Sequence, residues 1–200
     1  MNAFYALFDT ALDPILISGL VVVLTLAVAF NFFLCLRMSK LVTQLAFARL
    51  PDSVPVGEAL PNFHGRSVLD GRRISASEIL AEEAAVLVFL SRGCDKCRQR
   101  LPELERMLPL MQEAKVSLWV IGTGQKRLLR KYFETTVLLP QVLQVQAKYQ
   151  RLLNPKSAAP FYIFIDPQRV VQASSLIGDD DWLSFRSQIG DMGSDEDVEQ

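Results

Sequence analysis

The hydrophobic residues of this 200-residue chain form one long run near the N-terminus and several short runs after it. Residues 15–36 contain no charged side chain. At about 1.5 Å per residue, a helix of this length reaches about 33 Å, which is enough to cross a bilayer. A cleaved signal peptide is the alternative, but residues 1–14 contain no lysine or arginine to form its basic start. We therefore predict a retained transmembrane helix over residues 15–36, preceded by a short lead.

Helical spacing of apolar residues continues over residues 38–45 and ends at the proline-containing stretch PDSVP, which is typical of a linker. We therefore predict a juxtamembrane stalk and linker over residues 37–55. A folded domain is predicted over residues 56–190. Residues 191–200 contain five acidic residues and no basic residue, which predicts a disordered acidic tail.

Beyond the linker, short apolar runs rich in β-branched residues alternate with segments of helical spacing. The run 85–90 predicts a fully buried strand, 94–114 a helix with one apolar face, and 116–121 a second central strand. This alternation is typical of an α/β domain. The other predicted elements are strands at 67–69 and 137–139, an aromatic strand after Pro160, a strand at 170–174, a short helix capped by Ser75 or Ser77, and helices at 125–134, 142–149 and 179–189.

Two cysteines, Cys94 and Cys97, lie where the buried strand leads into the long helix. The unpaired N–H groups and the dipole of a helix N-terminus stabilise a thiolate, which makes such a cysteine a nucleophile near neutral pH. Cys97 follows about one helical turn later, within reach of a disulfide. The spacing therefore predicts that Cys94 attacks and Cys97 resolves, and the strand before the motif makes it more specific than C-x-x-C alone.

The side chains around the cysteine pair are mainly basic. Arg92, Lys96 and Arg98 favour a thiolate at Cys94, whereas Asp95 opposes it. A better stabilised thiolate is a better leaving group, so this balance favours an oxidant or isomerase over a strong reductant. We predict that Arg92, Asp95 and Lys96 tune the thiolate.

Composition limits the alternatives. The 21 basic and 22 acidic residues nearly balance, so the chain has no electrostatic footprint for nucleic acid. Its three cysteines are too few for a disulfide-stapled scaffold. A zinc site takes about four ligands, and beyond the pair the remaining candidates are His64, interpreted as a surface residue, and Cys35 in the apolar run. We predict no metal and no cofactor other than a redox-active Cys94–Cys97 disulfide, with copper or zinc transport as an alternative.

Four features of the chain resemble the TlpA/ResA branch of membrane-anchored thioredoxin-like proteins. They are the leading segment VGEALPNF at 56–63, the segment FLSRGCDKC at 89–97, Pro102 within the predicted helix, and Ala159–Pro160 before the aromatic strand. The resemblance implies a thioredoxin-like fold, in which a mixed central sheet is flanked by helices, over about residues 56–190. It also implies that Pro160 occupies the cis-proline position and that Ala159 and Pro160 contact an extended client segment.

Within that branch, the layout is most similar to the MauD family of methylamine utilisation proteins. This resemblance implies a periplasmic domain and a role in forming disulfides in the small subunit of methylamine dehydrogenase. The implied partners are a disulfide-containing exported protein client, a membrane or periplasmic redox partner and the lipid bilayer. The charges at the span favour the opposite orientation weakly, because Arg37, Lys40 and Arg49 follow it and positive residues prefer the cytoplasmic side.

The combined prediction is a thiol–disulfide oxidoreductase that forms or rearranges disulfides during maturation of an exported protein. A periplasmic reductant of the cytochrome c maturation type uses the same fold and is the first alternative. A metal carrier and a non-catalytic assembly scaffold are the others. The reduction potential of the cysteine pair separates the oxidant from the reductant.

Overall fold

The computed structural model describes residues 14–48, 53–80 and 83–195, and the chain divides into two compact units. The first unit contains one long helix, α1 (Pro14–Ala48). Its segment Ile17–Val42 is long and apolar enough to cross a membrane, and the side chains of that segment are exposed. Helix α1 is therefore a candidate membrane span, and it includes the predicted span and most of the predicted stalk.

The second unit is built on a single seven-stranded sheet with helices packed on both faces. Its strands are β1 (His64–Ser67), β2 (Arg73–Ser75), β3 (Ala84–Phe89), β4 (Val116–Gly122), β5 (Val142–Val145), β6 (Phe161–Ile165) and β7 (Val171–Leu176). Its helices are α2 (Ala76–Leu80), α3 (Asp95–Glu113), α4 (Lys126–Phe133), α5 (Ala147–Leu153) and α6 (Asp180–Asp195). The strand order is β2-β1-β5-β4-β3-β6-β7, with β3–β4 and β4–β5 parallel and the other neighbours antiparallel.

Strand β3 lies inside the sheet and is covered on both faces. Val86 and Val88 pack in the core that contains α3, α4 and α6, whereas Leu87 and Phe89 pack in the core that contains α2 and α5. Successive side chains of a strand point to opposite faces, so a strand covered on both sides needs a continuous apolar run. The cysteine motif follows shortly after the end of this buried strand.

Helix α3 fixes the cysteine segment to the sheet through its apolar face. The four residues predicted for that face are all buried: Leu101, Leu104, Leu108 and Met111. Pro102 lies inside the helix, as expected from the sequence. Strand β3, helix α3, strand β4 and helix α4 thus match the predicted order of elements on this side of the sheet.

Two predicted elements are wrong. The pattern predicts a strand at 137–139 and a helix at 142–149, whereas the structure has strand β5 followed by helix α5 in this part of the chain. Val142 and Leu143 are buried on opposite faces of β5, which pairs with both β4 and β1. A short strand buried on both faces lacks an alternating pattern, so periodicity alone does not separate it from a buried helix.

Smaller differences occur near the edges of the domain. The strand predicted at 67–69 forms at His64–Ser67 instead, and the residues after it form a turn. Helix α6 continues to Asp195, so the predicted tail begins within a helix. The lead up to residue 13 and the end of the tail, residues 196–200, lie outside the described residues.

Candidate active site

The cysteine motif lies at the junction of β3 and α3. Cys94 is the N-cap of α3, with an extended backbone at φ −105° and ψ 108°, and the Cys97 N–H donates to its Sγ at 3.1 Å. An N-cap side chain normally accepts such a bond through oxygen, and here a sulfur takes that place. Cys94 is partly exposed, and both cysteines are free thiols. The geometry therefore directs a helix N-terminal N–H group at a sulfur that solvent can reach.

Cys97 is in a different environment, although it lies only one turn further along α3. It is fully buried, and the Ser91 N–H points to its Sγ at 3.5 Å. Burial, followed by the hydrogen bond with Cys94, raises the pKa of Cys97 to about 12. The thiol of Cys97 is therefore protonated at neutral pH.

The loop before β6 brings a backbone carbonyl next to the exposed cysteine. The Ala159–Pro160 peptide bond is cis, and Cys94 Sγ lies 3.6 Å from the Ala159 carbonyl oxygen. The buried Asn154 amide holds the loop, since its nitrogen donates to the Ala158 carbonyl at 2.8 Å and its oxygen accepts from the Ala158 N–H at 2.9 Å. The structure thus brings together Cys94, Ala159 and Pro160, which the sequence analysis selected from distant positions.

Open cavities lie on both sides of this loop. One, of about 270 Å³, is lined by residues that include Ser91, Arg92, Thr123 and Gln150 as well as Ala159. The other, of about 470 Å³, is lined by residues that include Lys96, Arg100, Pro160 and Leu176. An extended peptide crossing the loop next to Cys94 would have room for side chains on each side.

These features agree with a comparison against protein families. Residues 56–174, more than half of the 200-residue chain, match the AhpC/TSA family. The chain belongs to the AhpC/TSA family. The match includes the cysteine motif, the Ala159–Pro160 loop and all strands of the sheet up to most of β7.

Solved structures similar to this AhpC/TSA chain confirm the thioredoxin-like fold. A putative protein disulfide isomerase from Bacteroides thetaiotaomicron is 20% identical with a TM-score of 0.59, covering 70% of this chain and 90% of its own. A putative thiol:disulfide interchange protein DsbE from Chlorobium tepidum is 17% identical with a TM-score of 0.59, covering 70% and 99%. The thioredoxin domain of a thiol-disulfide oxidoreductase from Bacteroides vulgatus is 19% identical with a TM-score of 0.58, covering 68% and 99%. No match was found among curated proteins.

The charged residues predicted to tune the thiolate are all at the surface. Arg92, Asp95, Lys96 and Arg98 are solvent-exposed, on the turn before α3 and on its first turn. Water and salt screen exposed charges strongly. Their influence on Cys94 therefore stays a prediction, and the contribution of each one is expected to be small.

Two features of this AhpC/TSA site have no counterpart in the sequence analysis. Tyr132 of α4 packs against the core that contains the cysteines, and its hydroxyl is buried. Burial, followed by the nearby Cys97, raises the pKa of Tyr132. The Asn154 clamp on the cis-proline loop is the second feature. Neither has a local signal, because each depends on contacts between segments distant in sequence.

A third unforeseen feature joins α3 to α6 behind the cysteine motif. Glu103, only 12% exposed, accepts hydrogen bonds from Trp182 Nε1 at 3.0 Å and from Arg100 at 2.7 Å. Arg186 of α6 lies 3.5 Å from the same carboxylate. Burial alone would raise the pKa of Glu103, but the bonds from Trp182 and Arg100 outweigh it and lower that pKa. The three-residue spacing between Arg100 and Glu103 is the local sequence signal that could have predicted the ion pair between them.

The described residues contain no group of three or more histidine, cysteine, aspartate or glutamate side chains that could hold a metal ion. His64, a candidate ligand in the sequence, lies in β1 and bonds to Tyr149 and Arg73 instead. Cys35 lies on α1, in the other unit of the chain. Within the second unit, His64 is therefore engaged in β1 and is not grouped with the cysteine pair.

Proposed function

We propose that this AhpC/TSA chain is a thiol–disulfide oxidoreductase in which Cys94 exchanges disulfides with a protein client and Cys97 is its internal partner. The observation that carries the proposal is the position of Cys94. Its partly exposed Sγ accepts the Cys97 N–H at the start of α3 and lies 3.6 Å from the Ala159 carbonyl. A nucleophilic sulfur at a helix N-terminus beside a peptide-sized cleft supports thiol–disulfide exchange.

In the oxidising direction, a client thiolate attacks Cys94 Sγ of the Cys94–Cys97 disulfide. The bond between the two enzyme sulfurs breaks, Cys97 leaves with the electron pair and takes up a proton, and a client–Cys94 mixed disulfide forms. A second client thiolate then attacks the client sulfur, and Cys94 leaves as a thiolate. The client loses two electrons and gains one disulfide, and the enzyme pair gains both electrons.

The buried thiol of Cys97 favours completion of this sequence. In the mixed disulfide, Cys97 can also attack Cys94, which re-forms the enzyme disulfide and releases the client still reduced. This attack requires Cys97 to lose its proton first. Burial is the main cause that raises its pKa to about 12, and we expect Cys97 to stay buried in the intermediate. The thiolate form of Cys97 is therefore scarce at neutral pH, which leaves time for the second client thiol to react.

Ala159 and Pro160 are proposed to contact the client. Proline has no N–H group, so Pro160 cannot donate a backbone hydrogen bond to a neighbouring strand. Ala159 lines the cavities on both sides of the loop, and Pro160 lines one of them. An extended client segment that lies across this dipeptide would place its own sulfur beside Cys94.

The finer proposal is a membrane-anchored enzyme with a periplasmic domain that forms disulfides in the small subunit of methylamine dehydrogenase. Helix α1, as a candidate span, supports the anchor. The resemblance of segments 56–63 and 89–97 to the MauD family supports the client and the periplasmic side. The acceptor of the electrons would be a membrane or periplasmic redox partner that reoxidises the pair.

The test uses the full chain in detergent with Cys35→Ser as the background. Cys97→Ser is expected to accumulate a mixed disulfide with client protein, whereas Cys94→Ser forms none and abolishes exchange. A reduction potential near −120 mV for the pair supports disulfide formation, whereas one near −270 mV, like that of thioredoxin, contradicts it and favours a reductant. Equal accumulation of mixed disulfide by both variants would refute the assigned roles. To test the client, the Cys97→Ser variant is incubated with the small subunit of methylamine dehydrogenase, and a mixed disulfide with that subunit is expected.

A further inference from the structure

A third concave site lies near the edge of the sheet, and neither cysteine lines it. It has a volume of about 540 Å³, and the residues that line it include His64, Arg66, Arg73, Gly124 and Gln144. Two of its walls come from β1 and β5, which are antiparallel neighbours. None of these residues takes part in the exchange chemistry proposed above.

The charge of this cavity is positive and not balanced. Arg66 and Arg73 are exposed and, among the residues that the structure describes, neither forms an ion pair. The adjacent Arg72 differs, because it pairs with Glu78 at 3.3 Å. Lys148 adds a third positive charge near His64. A concave surface with several unpaired cations attracts anionic groups.

The cavity is also ordered by a chain of contacts. The Arg73 guanidinium lies 3.0 Å from His64 Nε2, and His64 Nδ1 lies 3.0 Å from the Tyr149 hydroxyl. Arginine only donates, so Nε2 accepts and the proton of a neutral His64 is on Nδ1. Lys148 Nζ lies 4.6 Å from the centre of the Tyr149 ring. The histidine therefore orients Arg73 without adding charge.

The basic cavity adjoins the cleft beside Cys94. Gly124 lines the cavity and its neighbour Thr123 lines the cleft, so both lie on the loop after β4. Ala147 of α5 lines the cavity, and Gln150, about one turn along the same helix, lines the cleft. The Gln144 side chain ties the loop to β5 by donating to the Gly124 carbonyl. A bound chain that leaves the cleft along this loop would therefore run toward the cations.

We propose that the basic cavity binds an acidic stretch of the client next to its reactive cysteine. This inference rests on the proposed function and names the chemistry of the client that the enzyme selects. Carboxylates would pair with Arg66 and Arg73, whose planar guanidinium groups suit carboxylate geometry. Such contacts raise the rate of encounter and the specificity, and they weaken as salt increases.

The test compares two peptide substrates that carry the same cysteine pair and differ only on the flanks, glutamates in one and glutamines in the other. The full chain in detergent is assayed as wild type, as the double variant Arg66→Gln/Arg73→Gln, and as Arg72→Gln. Each protein is first oxidised at the Cys94–Cys97 pair, and the second-order rate constant for oxidation of each peptide is measured in a single turnover at low salt. The wild type is expected to react about tenfold faster with the glutamate peptide, the double variant to lose this preference, and Arg72→Gln to keep it. Arg72 is a matched control because it is the same residue type beside the cavity but paired with Glu78.

A second readout is independent of turnover. A cysteine-free, fluorescent glutamate peptide is expected to bind the wild type and Arg72→Gln, and to bind the double variant about tenfold more weakly. If all three proteins oxidise both peptides equally and the fluorescent peptide binds none of them selectively, the acidic-client inference is wrong and the proposed function stands. If no peptide is oxidised but the fluorescent peptide binds selectively, the cavity assignment stands and the proposed function is wrong.

Discussion

Cys94 and Cys97 show how much two identical side chains differ when only one helical turn separates them. The first caps α3 and is partly exposed, and the second lies in the core with α3, α4 and α6. Under the proposed function, Cys94 reacts with the client, whereas Cys97 stays a protonated thiol until it attacks Cys94. The pH dependence of the two reactions should therefore differ.

The attack of Cys97 on a mixed disulfide at Cys94 is expected to accelerate with pH. In the Cys35→Ser background, Cys94 is first joined to 2-nitro-5-thiobenzoate, and release of this yellow thiol reports the attack. Because burial, the largest cause, raises the pKa of Cys97, the release rate should still be rising with pH above the ordinary thiol pKa of about 8.5. A rate that levels off below about pH 9 would contradict this, and Cys97→Ser, which releases nothing, is the control.

At the residue scale, sequence reasoning finds chemistry that is encoded in spacing. Two cysteines three positions apart after a buried strand are sufficient to predict a reactive pair, and the structure places both at the start of α3 while their reactivity stays a prediction. The hydrogen bonds of Asn154 to Ala158 and the Arg73–His64–Tyr149 contacts could not be predicted from the sequence, because each depends on the folded arrangement of the chain. His64 was interpreted as a plain surface residue, and its two ring contacts have no sequence signature.

At the scale of elements, most of the domain was predictable, including β6, β7 and α6, whereas residues 137–149 just after α4 were not. Strand β3 and helix α3 are long and strongly patterned, so a window of sequence contains enough information to define them. Strand β5 has only four residues, and its apolar side chains face both cores. This segment forms a strand because it pairs with β4 and β1, and a local sequence pattern holds no information about that pairing.

The junction of α3 and α6 gives a prediction about stability. Because the pKa of Glu103 is lowered in the folded protein, its contribution is present above the unfolded value of about 4.3 and is lost as pH falls through the folded value. In a shortened chain beginning at Leu50, Glu103→Gln is expected to lower the free energy of unfolding at pH 7 by about 1–3 kcal/mol. Urea unfolding measures this difference.

The difference between wild type and Glu103→Gln should shrink when the same titration is repeated near pH 3. Glu105→Gln is the matched control, since Glu105 is on the same helix but forms no ion pair within the described part of the chain. A difference that stays constant from pH 7 to pH 3 would mean that packing at the site, rather than the charge of Glu103, supports the junction.

At the scale of the whole molecule, the described residues form one long apolar helix, which is a candidate membrane span, and one α/β unit that contains the cysteine pair. The mixed sheet was expected from the resemblance of separate segments to known thioredoxin-like proteins, whereas hydrophobic patterns alone predict only an α/β class. Patterns missed the arrangement of β1 and β2 at the sheet edge, because pairing across an edge depends on contacts between distant segments.

Helix α1 gives the prediction at this scale. In a Gram-negative host, the full chain is expected to remain with the membrane after an alkaline carbonate wash, because the side chains of Ile17–Val42 are apolar and exposed. A control with Leu24→Arg and Val28→Arg should lose most of this retention, since each arginine costs about 2.5–3.5 kcal/mol at the centre of a span. A shortened N-terminus found by mass spectrometry would instead identify a cleaved signal, and protease added to spheroplasts would report the side on which the domain lies.

The buried position of Cys97 also limits oxidative damage. A peroxide that enters the cleft meets the Cys94 sulfur first and converts its thiolate to a sulfenic acid, with loss of the peroxide's other oxygen as water or an alcohol. Cys97, one turn away and shielded from the same oxidant, can condense with that sulfenic acid, expelling water and forming the disulfide. The product would be the oxidised working form of the proposed enzyme, so this first oxidation of Cys94 is expected to be reversible rather than a loss of the enzyme.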